Sequence, residues 1–149
     1  LWGCHPSSLR LLDHKYLSER LTLIAKSIHL RYAIIDAIYG LNKHGPMDGE
    51  VIKVGAIIVG DNPVATDAVS ARLMGFDPEK ISHIKIASNA GLGPCKKEEI
   101  EVLTDLSPFQ QHFLVKPTIV DWASCLCFKS NILNKIVSDS VFTKPIYKL

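Results

Sequence analysis

Residues 51–76 read VIKVGAIIVGDNPVATDAVSARLMGF, and this stretch decides the fold class. Its first nine residues are mostly apolar and often β-branched, which predicts a buried strand. Asn62 is a good helix N-cap and Pro63 suits the first helical position. A helix is therefore predicted from there to about Met74, ended by Gly75. A buried strand that leads directly into a helix indicates a domain in which strands and helices pack together.

The segments before residue 51 predict a helix and a second strand. Leucines and isoleucines spaced by four, three and four residues form the stripe of an amphipathic helix: Leu17, Leu21, Ile24 and Ile28. Residues 31–37, RYAIIDA, predict a buried strand that ends near Asp36. A glycine-rich loop over residues 39–50 is expected to connect the two strands.

The segments around and after the central helix complete the expected architecture. The helix carries small residues, which we expect to let it lie close to a sheet: Ala65, Ala68, Val69 and Ala71. A second helix is predicted from about residue 79 to 89, ended by Gly91, and a short strand at residues 100–103.

We therefore expect an α/β fold, a mixed sheet with helices packed on it and a helical C-terminal tail. Two strands joined by so short a loop are either antiparallel or members of a sheet completed by a missing N-terminal part. The chain starts with Leu1 instead of methionine, which predicts that it begins inside a longer reading frame.

The domain organisation follows from a change in composition near residue 109. Residues 1–109 are predicted to form the core domain, and residues 110–149 a tail in which apolar clusters alternate with lysines. Residues 107–149 hold five lysines against two aspartates. Such a tail either packs on the domain or lies as a basic amphipathic segment on a membrane surface or a protein partner, for which a redox protein is one candidate.

Overall composition excludes several classes of protein. The 149 residues are 47% hydrophobic and 21% charged with a net charge of +2, which argues against disorder and against nucleic-acid binding. No apolar run approaches the roughly 18 residues of a membrane span, and no secretory signal is recognisable, so a cytoplasmic protein is expected. The four cysteines match neither a zinc nor a ferredoxin spacing and are expected to be reduced: Cys4, Cys95, Cys125 and Cys127.

Acidic residues near the strand ends form the first candidate site. Asp36, Asp61 and Asp67 fall at a strand end, after a strand and in the first turns of a helix. Ligands of α/β proteins gather at such positions, and carboxylates suit a divalent cation such as Mg²⁺, or a mixed iron site if His44 or His83 joins them. Alternatively, Asp61 only caps a helix and Asp67 only pairs with Arg72.

Basic residues nearby form the second candidate site. The loop at residues 40–49, GLNKHGPMDG, contains Lys43 and His44, and Arg72 follows on the helix. These side chains are predicted to bind a small anionic ligand, because cations and loop N–H groups favour phosphate or carboxylate. The loop matches neither a Walker motif nor a dinucleotide-binding motif, so it can equally be a simple turn.

The run AIIDAIYGLNKHGPMDGEVIKVGAIIVGDNPVATDAVSARLMGFDPEKISHIKIASNAGLG, with LWGC and DHKYLSER before it, resembles the core of the "domain of unknown function 362" family. The resemblance covers about residues 1–109 and departs at Asn62, which separates Asp61 from Pro63. Matching motif positions are Asp36, Gly45, Pro46, Gly49, Asp61, Asp67, Arg72 and His83. The resemblance implies a bacterial or archaeal protein and an iron–sulfur association, although the ferredoxin-like cysteines of many members are absent here.

Two functions from different classes follow. The first is a metal-dependent or redox-linked enzyme for a small anionic substrate, with Asp36, Asp61, Asp67 and His83 on the metal and with Lys43, His44 and Arg72 on the substrate. The second is a non-catalytic module that docks on a redox partner or membrane through its basic tail.

Overall fold

A computed structural model describes residues 14–44 and 49–119, together with residues 122, 126 and 130. The helices are α1, Leu17–Ser27; α2, Pro63–Leu73; and α3, Ser82–Asn89. The strands are β1, Ala33–Asn42, and β2, Glu50–Gly60. Short 3-10 turns lie at His14–Tyr16, Pro78–Lys80, Lys97–Glu99 and Ser107–Phe109. The combination of strands and packed helices confirms the expected mixed α/β class.

The two strands form an antiparallel hairpin, which is one of the two arrangements expected for them. Ile34 pairs with Val59 and Asp36 with Ile57, and a β-bulge lies between Ala37 and Tyr39. The prediction that the first strand ends near Asp36 was wrong. Beyond the bulge the chain resumes pairing with β2, because the ladder supplies hydrogen-bond partners that local sequence cannot reveal.

Helix α2 begins and ends as the sequence predicts. The Asn62 side chain accepts a hydrogen bond from the backbone N–H of Ala65 at 3.0 Å, and Pro63 is the first helical residue. At the other end, Gly75 has φ +84° and its N–H donates to the carbonyl of Arg72, while Phe76 N–H donates to that of Ala71. This pattern is a Schellman motif, which needs the left-handed conformation that glycine adopts without strain.

Helix α3 is shorter than expected at its start. A 3-10 turn at Pro78–Lys80 precedes it, and the helix ends before Gly91, which has φ +76°. Residues 100–103 form no strand. Ile100 packs instead against the core cluster between the helices, and this apolar contact takes the place of strand pairing.

Helix α2 lies between the sheet and α3. Its small residues Ala68 and Ala71 belong to a buried cluster with Ile84 of α3 and Cys95, together with Val64. On its other side, Thr66 contacts Gly60 so closely that a Cβ at position 60 would overlap the threonine hydroxyl. The close approach to the sheet therefore depends on the strand glycine, whereas the alanines bring α2 close to α3.

The first residues of the predicted tail run extended along the domain. Gln111 N–H donates to the Leu73 carbonyl at 2.8 Å and Phe113 N–H to the Met74 carbonyl at 2.9 Å. Phe113 is 7% exposed and packs on Gly40 of β1. Residues 119, 122 and 126 are helical, and most of the remaining predicted tail lies outside the described residues. Within the part of the chain that the structure describes, no helix is long and apolar enough to cross a membrane.

Candidate functional site

The hairpin has two apolar faces, and α2 covers one of them. Residues of β1 and β2 alternate between partly buried and exposed positions, with the partly buried ones facing α2. We call the opposite side the outer face; its apolar members are Ile34, Tyr39, Leu41, Val51, Ile57 and Val59. Ile34 is 71% exposed, and Ile57 and Val59 are each 63% exposed. No element within the described ranges covers these side chains.

Packing explains why both faces are apolar in sequence but only one is buried. A strand buried on both sides reads as an unbroken apolar run, which is how residues 51–59 read. The hairpin supplies such strands, but the described helices pack on a single face. Contiguous exposed isoleucine and valine on paired strands are unusual, because the surfaces of monomeric soluble proteins rarely keep large apolar patches.

Two charged residues interrupt the outer face. Asp36 lies opposite Ile57, and its Oδ1 accepts a hydrogen bond from the backbone N–H of Ile38 at 2.9 Å, within the bulge. Lys53 lies opposite Tyr39. The carboxylate of Asp36 thus has a local structural role at the bulge in addition to any role in ligand binding.

A group of basic side chains lies at the hairpin end of the sheet. Lys43 forms an ion pair with Glu50. The pKa of Glu50 is lowered, first by this hydrogen bond and then by the positive charges of Lys43, Lys116 and His44. Lys43, His44 and Lys116, which we call the hairpin-end cluster, therefore lie near enough to Glu50 for their charges to act on this exposed carboxylate.

The predicted metal ligands occupy different sides of the molecule. Asp67 of α2 and His83 of α3 lie near each other: partial burial raises the pKa of Asp67, and the charge of His83 lowers it. Asp61 is exposed directly after β2. Asp36, on the outer face, is separated from α2 by the sheet. Among the residues that the structure describes, no group of three or more histidine, cysteine or acidic side chains could hold a metal ion. The metal role of these four residues stays a prediction.

Two of the three predicted anion-binding residues, Arg72 and Lys43, are engaged in contacts within the protein. Arg72 donates a hydrogen bond to the backbone carbonyl of Cys95, and Lys43 is paired with Glu50. His44 is exposed beside Lys43. The structure thus brings Lys43 and His44 together and places Arg72 in a different contact. Their substrate role stays a prediction.

The cysteines give little support to a resident iron–sulfur cluster. Cys95 is buried and unbridged, and it packs among apolar residues of the core cluster. Cys4, Cys125 and Cys127 lie outside the described residues. The described part of the chain therefore supplies one thiol, whereas protein-bound clusters use sets of cysteine ligands.

A small apolar pocket of about 120 Å³ lies between α2 and the face of the hairpin that α2 covers. Its walls include Ile35, Val54, Ile58 and Leu73, and Phe113 closes one side. This space belongs to the packing between the sheet and α2 and contains few polar atoms that could orient a substrate.

Two features of this surface could not be identified from the sequence. The exposure of Ile34, Ile57 and Val59 was missed, because the same residues predict a strand buried on both sides. Lys116 was missed because it is 73 positions from Lys43 in the chain. The only available signal was the excess of lysines after residue 107, which does not specify a contact.

Comparison with known proteins confirms the family resemblance. The family model described as "Domain of unknown function (DUF362)" matches residues 1–72. A thylakoid-associated protein of Synechocystis sp. is 28% identical over 105 residues, an alignment that covers 66% of this chain. The chain spans about 33% of that relative's length. No solved structure matches the chain.

Proposed function

We propose that this chain, whose residues 1–72 match the DUF362 family model, is a docking module that binds peripherally to a membrane surface through its outer face. The observation that carries the proposal is the exposure of Ile34, Ile57 and Val59 on adjacent paired strands. Fully burying one such side chain contributes roughly 1.5–3 kcal/mol, so this face offers a substantial driving force for association.

The composition of the outer face suits the boundary between lipid and water. Tyr39 and Lys53 lie opposite each other, and both side chains combine an apolar body with a polar end. Such residues are favoured at the level of the lipid headgroups. The isoleucine and valine side chains of the same face would reach the acyl region. Partial insertion of the face would leave Asp36 with its hydrogen bond to Ile38.

The name of the similar Synechocystis protein favours a membrane over another apolar surface as the partner of the outer face. The Synechocystis protein is described as thylakoid-associated. The absence of a spanning helix among the described residues is compatible with peripheral association. The basic tail, residues 110–149, is a second element that we propose for this contact, either with the membrane or with a redox partner.

The test is co-sedimentation of the full chain with vesicles of phosphatidylglycerol and phosphatidylcholine in equal parts. Wild type is expected to pellet with the vesicles, and Ile34→Asn and Ile57→Asn to remain in the supernatant. Leu103→Asn is the matched control, because Leu103 is 90% exposed but lies outside the outer face.

Three results would contradict the proposal. The first is wild type in the supernatant, and the second is equal binding by Ile57→Asn and wild type. The third is that wild type forms a dimer and binds no vesicles, while Ile57→Asn is a monomer. A second copy of the chain would then cover the outer face. Circular dichroism of each variant separates lost binding from lost folding.

We also propose a second candidate, a metal-dependent or redox-linked enzyme that acts on a small anionic substrate. It is favoured by the proximity of Asp67 and His83 across α2 and α3, because a carboxylate beside an imidazole can bind a metal or transfer protons. Iron, zinc, manganese and acid-labile sulfide would be measured in protein purified without air. Metal that is retained by wild type and lost in Asp67→Ala would support this candidate, whereas equal metal content in both would remove it.

A further inference from the structure

We propose that the hairpin-end cluster binds the phosphate group of an anionic lipid headgroup. This inference rests on the proposed membrane function and adds to it the class of lipid and the residues that recognise it. The outer face provides apolar contact with any lipid, whereas Lys43, His44 and Lys116 favour lipids with a net negative charge.

The backbone holds the two lysines in place. Lys43 N–H donates to the carbonyl of Leu114 at 2.9 Å, and Lys116 N–H donates to the carbonyl of Lys43 at 3.2 Å. The Asn42 side chain, 7% exposed, accepts a hydrogen bond from Leu114 N–H at 2.7 Å. Segments about 72 positions apart are thus joined by three hydrogen bonds, two of which involve the backbone of Lys43.

The local conformation of Lys43 is also unusual. Its φ is +65°, in the left-handed region that non-glycine residues rarely adopt. The parallel bridge between Lys43 and Val115 holds this conformation. A lysine maintained there by tertiary hydrogen bonds, beside a second lysine, is an organised cationic surface.

Among the described residues at this end of the sheet, cationic side chains outnumber carboxylates. Two lysines and a histidine act on one described carboxylate, that of Glu50, whose pKa they lower. Glu50 is exposed, and within the described ranges its ion-pair partner is Lys43, so Lys116 and His44 keep capacity to attract an anion. A phosphate can approach without removing a buried charge from water.

The position of the cluster favours a lipid phosphate over a free anion. Leu41 and Val51 are exposed members of the outer face and pair with each other next to the Asn42–Glu50 pair. The apolar surface therefore extends to the residues that carry the cations. An apolar patch with cations at its rim matches a molecule that has an acyl chain and an anionic headgroup.

The experiment measures partition of the full chain between buffer and two kinds of vesicle. One contains phosphatidylglycerol and phosphatidylcholine in equal parts, and the other contains phosphatidylcholine only. Lys116→Gln is expected to reduce partition into the anionic vesicles about fivefold, the effect of one basic residue near a charged surface. Glu50→Gln is expected to increase it by a similar factor, a gain that damage to the fold would not produce. Lys85→Gln, on the exposed side of α3, is the matched control and should change partition little.

The outcomes separate this inference from the proposed function. If wild type binds neither vesicle, the proposed function fails. If binding depends on Ile57 but Lys116→Gln and Lys85→Gln reduce it equally, only net charge matters and the lipid-phosphate site is refuted. If inorganic phosphate at constant ionic strength displaces the protein and binds it without vesicles, the site recognises a free anion and the inference is also overturned.

Discussion

Replacing Asn62 by alanine tests how α2 is fixed to the rest of the domain. The Asn62 Oδ1 caps the helix at Ala65 N–H, and its Nδ2 donates to the Leu92 carbonyl at 2.9 Å. Gly93 lies so close that a Cβ there would overlap the Asn62 amide. One side chain thus both starts α2 and holds the loop that follows α3.

The magnitude follows from these two hydrogen bonds. Loss of an N-cap costs about 1 kcal/mol, and loss of a partly buried hydrogen bond costs about another 1 kcal/mol. Asn62→Ala is therefore expected to lower the free energy of unfolding by about 2 kcal/mol, which is about 4–8 °C in Tm for a chain of this length. Asn62→Ser keeps a capping oxygen but cannot reach Leu92, so it should lose only about 1 kcal/mol.

Urea denaturation followed by circular dichroism measures these differences. Asn89→Ala is the matched control: Asn89 is exposed at the end of α3, and its replacement should change stability by less than about 0.5 kcal/mol. The reasoning is refuted if Asn62→Ala is no worse than this control. Equal losses in Asn62→Ser and Asn62→Ala would show that the helix cap contributes nothing.

Three further substitutions test the packing and the electrostatics. Phe113→Ala should cost about 3–5 kcal/mol in the same denaturation assay, because it enlarges the pocket beside Gly40; a loss below about 1 kcal/mol would contradict this packing. Gly60→Ala should cost about 1–3 kcal/mol by overlap with the Thr66 hydroxyl, and a double-mutant cycle with Thr66→Ala should show that the two losses are not additive. Because burial raises the pKa of Asp67, its ionised form destabilises the fold, so Asp67→Asn should be more stable than wild type at pH 7. That advantage should shrink as the pH falls through the folded pKa and vanish below the unfolded pKa; an advantage that grows in acid would refute it.

The sequence determined the elements that depend on local rules. The N-cap at Asn62, the proline at position 63 and the glycine at position 75 set both ends of α2, and the structure has them where expected. The apolar stripe before residue 28 likewise specified α1. These features involve residues within a few positions of each other, so their energetics can be judged without knowing the rest of the fold.

Tertiary structure alone decided the candidate site. β1 continues past Asp36 because β2 lies beside it, and Lys116 meets Lys43 because Asn42 binds the backbone of Leu114. Apolar strand residues read alike whether one face or both are covered, so only packing shows that Ile57 is exposed. Asp36 and Asp67 each carry a carboxylate and both occupy positions of the family motif, but the sheet lies between them. Whether side chains converge on one site depends on the spatial distances between segments that are far apart in the sequence. The spacing of residues along the chain does not specify those distances.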